Sequence, residues 1–332
     1  MIKFGVIGTN WITEWWIKSS QASSRWALTA VYSRTEEGAK SFASKFNVTK
    51  VHTSLEHFIA DPDVEAVYIA SPNSLHFEQA KQVLKGKKHV ILEKPATSTV
   101  AELDELLTIA KDNGVYVLEA YRHIQEVNFK VLKQALDDKK LGPIYGASLT
   151  YASFSSRYHN VLAGEKPNIF NLDFSGGSLV DIGVYPVTFA VALFGRPRYQ
   201  LYHATKAPTG VDAGGFILLH YNDFSVQINQ SKAWTSAAPC EIYGEKGTIT
   251  LNGTADIDTL KFWSNKTKQT EDLSKPKADK NMQEEAEELG RIIEEDDRKA
   301  AQDLQDLSLA VLEITSDLRQ QNGIVFKVEE KS

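Results

Sequence analysis

The first third of the chain alternates short apolar runs with amphipathic stretches, and that rhythm narrows the possible folds more than any other feature. Ile2–Ile7 is almost continuously apolar, as a strand covered on both faces requires. Trp11–Ser20 reads as a helix, Ala27–Tyr32 as a second strand, and Glu36–Phe46 as a helix with Ala39, Phe42, Ala43 and Phe46 on one face. Ala66–Ala70 is a third strand, ended by the turn signal Ser71-Pro72-Asn73. His76–Lys85 is helical, His89–Leu92 a strand, Val100–Asn113 a helix stopped at Gly114, and Val115–Glu119 a further strand. Alternation at this spacing predicts an α/β fold with a parallel, doubly wound Rossmann sheet.

The pattern changes after a helix at Val127–Leu136, which Gly142-Pro143 ends. Strand-like runs follow at Ile144–Phe154, Gln200–Lys206, Gly215–Tyr221, Ser225–Ser231, Thr248–Leu251 and Leu260–Trp263. Gly, Asn and Asp turns join them, as in a mainly antiparallel sheet. Val180–Leu193 is an expected helix and Asn265–Asn281 an expected exposed loop. The charged stretch Met282–Asp297, the helix Leu304–Gln320, a stop at Gly323 and a short strand at Ile324–Val328 complete the chain. With 332 residues, two domains are expected: 1–122, the doubly wound one, and 123–332, an α+β domain.

Composition excludes several classes. The 42% apolar and 24% charged residues are those of a globular protein. A formal net charge of −6 argues against nucleic acid, which needs a basic face, and against an anionic membrane. No apolar run is expected to approach the ~18 residues of a membrane span. Cys240 is the single cysteine, so no internal disulfide forms. That cysteine usage and the lack of a secretory signal after Met1 make the cytoplasm the expected compartment. The eight histidines show no zinc spacing, so no metal is expected, and no G-x-S-x-G elbow occurs.

The first strand-to-helix turn, Gly5-Val6-Ile7-Gly8-Thr9-Asn10-Trp11-Ile12-Thr13, lies where the G-x-G-x-x-G/A fingerprint belongs. Gly8 keeps the first glycine. Asn10 stands at the second, and asparagine is the non-glycine residue that best tolerates a left-handed backbone. Thr13 stands at the third. Gly8, Thr9, Asn10, Trp11 and Ile12 are therefore candidates for holding a pyrophosphate at a helix N-terminus. The second strand ends in Ser33-Arg34-Thr35, where an NAD site would place a carboxylate. Two hydroxyls and a guanidinium there favour NADP over NAD. The plain alternative for Arg34 is a solvated surface residue.

Three further segments carry a resemblance. They are Ser71-Pro72-Asn73-Ser74-Leu75-His76, then Gly86-Lys87-Lys88-His89-Val90-Ile91-Leu92-Glu93-Lys94-Pro95, then Gly176-Gly177-Ser178-Leu179-Val180-Asp181-Ile182-Gly183-Val184-Tyr185. Together they resemble the glucose–fructose oxidoreductase / inositol dehydrogenase / rhizopine-catabolism (Gfo/Idh/MocA) family. The resemblance implies a Rossmann domain and a second domain with a large open sheet often used for oligomerisation, so a homodimer or higher homo-oligomer is expected. It also implies a cis Lys94–Pro95 bond and a cofactor site that includes Ser71, Pro72, Asn73, His76, Glu93, Lys94 and Arg122.

Lys94 follows a parallel strand, where doubly wound sheets bind ligands. Tyrosine donates protons poorly near neutrality, and a nearby ammonium favours its phenolate. Tyr185 is thus the expected acid/base and Lys94 its assistant, with Asp181 orienting substrate or Lys94. His76 is a softer candidate, catalytic, cofactor-packing or capping. The inositol dehydrogenase branch carries His at the Tyr185 position and Asp three residues later. This chain has Tyr185 and Thr188, and is similar to dimeric dihydrodiol dehydrogenases and glucose–fructose oxidoreductase. The expected activity is hydride transfer between NADP or NAD and a sugar, polyol or related small molecule. The rivals are a non-enzymatic NAD(P)-binding regulator and an NAD-dependent glycoside hydrolase.

Overall fold

The computed structural model describes Met1–Lys331 and divides into two compact units. The first comprises Met1–Tyr121 and Ala278–Leu309, the second Arg122–Lys277 and the chain from Ala310 onward.

In the first unit, strands β1 (Ile2–Ile7), β2 (Trp26–Tyr32), β3 (Val51–His52), β4 (Ala66–Ile69), β5 (His89–Glu93) and β6 (Val117–Ala120) form one sheet in the order β3-β2-β1-β4-β5-β6. Every pairing is parallel. The intervening helices are α1 (Trp11–Ala22), α2 (Glu36–Ser44), α3 (Leu55–Ala60), α4 (His76–Lys85) and α5 (Val100–Asn113). This is the expected doubly wound sheet. Ile7 is in register with Tyr32 and Ile69, Ile69 with Leu92, and Glu93 with Ala120. The residues after each strand therefore collect along one edge.

Residues 278–309 differ from the expected division, which places them in the second domain. Their helix α10 (Gln283–Glu294) buries Ala286, Leu289 and Ile292, together with Met282 just before it, in the cluster that holds Trp16, Trp26 and Tyr68. The spacing is helical, so one face does all the burying. The Trp26 indole donates to Ala286 O at 2.7 Å, and Trp16 stacks on Tyr68 at 4.6 Å. Both are first-unit contacts.

The second unit contains α6 (Arg122–Gln125), α7 (Val127–Asp137), β7 (Ile144–Ala152), α8 (Ser156–Leu162), α9 (Val184–Phe194), β8 (Tyr199–Lys206), β9 (Asp212–His220), β10 (Ser225–Ser231), β11 (Cys240–Gly244), β12 (Gly247–Leu251), β13 (Leu260–Ser264) and β14 (Thr270–Asp272). Its sheet runs β14-β13-β12-β11-β7-β10-β9-β8. Only β7 and β10 pair in parallel, so the expected antiparallel character holds. One face keeps large apolar groups in the open: Tyr199 and Leu201 on β8, Phe216 and Leu218 on β9, Tyr243 on β11 and Trp263 on β13. Leu201 lies opposite Leu218. The division between the units falls inside α11 (Arg298–Gln320).

Three expectations about local structure need correction. Ile324–Val328 forms no strand, because Arg319 donates to Ile324 O at 2.6 Å and pairs with Glu329, folding the segment back on the helix end. The loop expected over 265–281 contains β14, which pairs with β13 through backbone groups its polar side chains do not advertise. β11 was not expected as a strand; it supplies the partner that β7 and β12 both need. Leu172–Phe194 has the length and mean hydropathy, 1.6, of a membrane span. With 72% of that window buried within the protein, it behaves as a core helix.

Candidate active site

At the edge of the first sheet, Gly8 has φ +108°, and a Cβ built there would meet Ala70 O at 2.7 Å. Any side chain would collide with backbone, so glycine is required. Asn10 then starts α1. Its Oδ1 accepts from the N–H groups of Ile12 and Thr13 at 3.0 and 3.2 Å, and its Nδ2 donates to Ala70 O at 2.7 Å. This is the work of an N-cap, and Asn10 does it with an extended backbone at φ −100°, not the left-handed one considered from sequence. Thr9, Asn10 and Trp11 are exposed around the turn, Trp11 to 59%. A backbone cradle that a Cβ would fill, at a helix start, fits a dinucleotide's pyrophosphate.

After β2, Ser33 is partly buried while Arg34 and Thr35 are exposed. Thr35 caps α2 by accepting from Gly38 N at 3.3 Å. The first carboxylate, Glu36, is paired with Lys40 at 2.7 Å. After β4, Ser71, Pro72 and Asn73 lead into His76, which is buried. His76 places Nδ1 3.0 Å from Pro95 O and Nε2 2.9 Å from Ser71 O. It thus ties the turn after β4 to the turn after β5. Burial lowers its pKa, while the carbonyls oppose that shift.

The Lys94–Pro95 bond is cis, as the resemblance implies. On either side of this turn lie two buried carboxylates. Glu93 accepts from the Tyr68 hydroxyl at 2.6 Å, and Glu119 accepts from Ala96 N at 2.8 Å. Burial pushes Glu119 up to about 7. Lys94 itself is partly buried.

In the second unit a different device holds the candidate acid. Gly177 has φ +140°, and a Cβ there would lie 2.4 Å from Asp212 Oδ1. The buried Asp212 accepts from Leu179 N and from the Tyr202 hydroxyl, both at 2.7 Å. A carboxylate at the start of a helical segment stabilises its unpaired N–H groups. The segment that follows, Leu179–Gly183, is a π-helical turn running into α9. Asp181 lies in the wide turn and Tyr185 in the α-helix, so the two do not sit in one regular helix as expected.

Asp181 is ion-paired with Lys232, just past β10. Tyr185 is surrounded by rings and a cation: His123 at 4.8 Å, Tyr151 edge-on at 5.5 Å, and the Arg122 guanidinium 5.4 Å over its ring. Arg122 in turn makes two hydrogen bonds to Asp256, at 2.8 and 3.1 Å, and one to Ala255 O at 2.7 Å. Glu126 Oε1 lies 3.6 Å from it, and Lys277 3.4 Å from Glu126 Oε2. Burial opposes the charge on Arg122, yet Tyr185 and Asp256 outweigh it and raise its pKa. Burial lifts Glu126 to about 7.

The structure therefore gathers Gly8–Ile12, Ser33–Thr35, Ser71–Asn73, His76, Glu93 and Lys94 on the turns of one sheet edge. It gathers Tyr185, Asp181 and Arg122 in the second unit. Arg122, expected at cofactor or substrate, has its guanidinium on Asp256, Ala255 O and Tyr185. Sequence reasoning missed Tyr151 and His123 beside Tyr185, Asp256 beside Arg122, and Lys232 beside Asp181. Their separations of 34 to 134 residues in sequence carry no local signal.

Residues 2–121 match the family model described as "Oxidoreductase family, NAD-binding Rossmann fold", and residues 129–250 the "GFO/IDH/MocA C-terminal domain". The chain is 39% identical to an uncharacterized oxidoreductase, YgjR, of Escherichia coli (strain K12), over 99% of each chain. It is 37% identical to the scyllo-inositol 2-dehydrogenase (NADP(+)) IolU of Bacillus subtilis (strain 168), over 99% of this chain and all of that one. A crystal structure of aldose-aldose oxidoreductase from Caulobacter crescentus complexed with glycerol superposes with a TM-score of 0.85 at 18% identity, covering 97% of both chains.

Proposed function

The chain belongs to the Gfo/Idh/MocA family of oxidoreductases, and from that premise we propose that it oxidises a hydroxyl, or reduces the matching carbonyl, of a sugar or polyol. When bound, the nicotinamide gives or takes the hydride. The side chains handle the proton and the placement. Tyr185 carries the hydroxyl proton at its Oη, and Lys94 assists it by polarising the substrate oxygen. Asp181, held by Lys232, orients a substrate hydroxyl. Gly8 to Ile12 hold the pyrophosphate, and Ser71 to Asn73 with His76 shape the adjoining turn. Ser33, Arg34 and Thr35 bind a 2′-phosphate, which makes NADP the preferred cofactor. The name of IolU, with its NADP(+) and its ring-polyol substrate, supports both readings. The apolar groups exposed on the second unit's sheet support a homodimer.

One observation carries the reading: the Tyr185 ring lies beneath a guanidinium that Asp256 holds in place with two hydrogen bonds. A cation fixed over the ring supplies a preorganised electrostatic partner at the place where the proton is to be moved. Tyr185→Phe tests it. Turnover, followed by absorbance of the reduced nicotinamide, should fall about a hundredfold or more while cofactor affinity stays constant. Undiminished turnover would remove Tyr185 from the chemistry.

A further inference from the structure

Behind the ion pair of Asp181 and Lys232 lies a buried polar network that no step of the proposed chemistry uses. Asp212, at the start of β9, is 2% exposed, and Gln230, near the end of β10, is fully buried, as is Ser178. The Tyr202 hydroxyl, on β8, donates to Asp212 Oδ2 at 2.7 Å and accepts from Gln230 Nε2 at 2.7 Å. Gln230 Oε1 accepts from Ser178 Oγ at 2.5 Å. Asp212 Oδ2 also accepts from Leu179 N at 2.7 Å. Three neighbouring strands are thereby tied to Ser178 and Leu179, where the π-helical turn begins.

The same strands hold the cation. Lys232 N donates to Ala213 O at 2.9 Å, one residue after Asp212. Ser231 Oγ accepts from Ala233 N and Trp234 N at 2.8 and 3.0 Å, which fixes the chain around Lys232. Asp181 follows Leu179 by two residues, and Lys232 follows Gln230 by two. Both members of the ion pair are therefore anchored to one network within a few residues. Resting on the reading of Asp181 as the residue that orients substrate, we propose that Tyr202, Gln230 and Ser178 are positioning residues. With Asp212 they fix the turn that carries Asp181 against the strand end that carries Lys232.

Placement explains this network better than stability does. Among the described residues Asp212 meets neutral donors: a main-chain N–H, a phenol and, at 3.4 Å, an amide. A buried carboxylate with no cation beside it is a costly way to start a helical turn, which a neutral cap would serve. Burial and the adjacent Asp212 raise the pKa of Tyr202, so its hydroxyl keeps the proton that it donates. What the carboxylate supplies is a fixed point. Hydrogen bonds to a charged acceptor are short and strong, and a satisfied buried network specifies one arrangement. Such rigidity matters at a substrate-orienting group, where a misplacement of about 1 Å can cost about a hundredfold in rate.

The test is a double-mutant cycle on the pair, read by urea melts of the full chain, so that it needs no substrate. Asp181→Asn, Lys232→Met and their combination give the coupling of the two residues as a factor in the unfolding constant. That factor should be about tenfold in the wild type, and below about threefold when the cycle is repeated on Tyr202→Phe. Ser178→Ala, a smaller loss, should move it the same way, and carries the test if Tyr202→Phe does not fold. A network that only stabilises the unit would lower the melting midpoints and leave the factor as it is. The proposal is overturned by an unchanged factor in the folded variants, or by a factor near one in the wild type. Turnover of scyllo-inositol with NADP separates it from the reading on which it rests. A shrunken factor with kcat/KM unaffected by Asp181→Asn keeps the network and removes Asp181 from the substrate. An unchanged factor with kcat/KM lowered by Asp181→Asn does the reverse.

Discussion

The turn after β1 and the surroundings of Tyr185 are assembled by opposite means. Around Gly8 the work is done by main chain and one neutral amide: a left-handed glycine pressed against Ala70 O and the Asn10 side chain closing a helix start. Around Tyr185 it is done by charges, with Arg122, Asp256, Glu126 and Lys277 linked in one array and Asp181 paired with Lys232. The difference fits the role proposed for each place. A pyrophosphate is recognised by backbone N–H groups, which need only a fixed path of the chain. A phenol that must give and take a proton needs an electrostatic environment, and in a partly buried place that takes several partnered charges. The first kind of site fails through shape and the second through charge.

The largest effect should come from the charged side of that contrast. Arg122→Leu removes the cation over Tyr185 and leaves Asp256 and Glu126 without their partner. Turnover should fall about a hundredfold or more, with NADPH affinity changed little. Arg122→Lys should restore only part of it, because an ammonium cannot reproduce the two-pronged contact with Asp256. Steady-state kinetics with a separate cofactor titration would check both. Weakened NADPH binding at unchanged saturated turnover would return Arg122 to the cofactor and blur the comparison.

Gly8→Val probes the backbone side. A side chain there needs space occupied by Ala70 O and a backbone angle that non-glycine residues rarely adopt. NADPH affinity should fall about tenfold or more, read by fluorescence titration. Any turnover loss should be recovered at saturating cofactor. A turnover defect that persists would show that the turn shapes more than cofactor binding.

These two positions also mark what the sequence made legible. The doubly wound sheet, the Gly8 turn, the Lys94–Pro95 turn and the Tyr185 segment were readable because each is local: a strand, a turn and a helix start within a dozen residues. Asp181 and Tyr185 were also readable as members of one helix, but not the π-turn that holds Asp181 apart from it, since both winding patterns share the same apolar residues. The array around Tyr185 was not readable. Arg122 meets Asp256, and Asp181 meets Lys232, across spans of 134 and 51 residues. Such pairings exist only once the second unit has folded. Residues 278–309 were misplaced for a related reason: their apolar face fits a helix anywhere, and only Trp26 and its neighbours decide where it is buried.

A moderate effect is expected at the second ion pair. Lys232→Met leaves Asp181 with its principal cation gone. Hydrogen bonds to charged groups are worth about 1.5–3 kcal/mol, so kcat/KM should fall about tenfold. Adding Asp181→Asn to Lys232→Met should then cost less than it does in the wild type, as expected for two residues acting as a pair. Strict additivity would make Lys232 and Asp181 independent, and the charge-built description of this region would shrink to the Arg122 array.

The smallest effect concerns stability and lies at a buried acid of the backbone-built unit. Glu119 accepts from Ala96 N, and burial lifts it from 4.5 to about 7. A carboxyl whose folded pKa is raised binds its proton more tightly in the native state than in the unfolded one. Its contribution is complete below about pH 4.5 and is lost as pH rises through 7. Wild-type stability from this group should fall by about 1–3 kcal/mol across that window. Glu119→Gln keeps an oxygen for the Ala96 N–H and cannot ionise. Urea melts of both proteins from pH 4.5 to 7.5 should give a difference that grows in favour of the glutamine as pH rises. Glu126, also near 7, titrates equally in both proteins and cancels from that difference. A difference that does not change with pH would mean that Glu119 is ionised throughout, and that the first unit, too, shelters a charge beside its lysine-bearing turn.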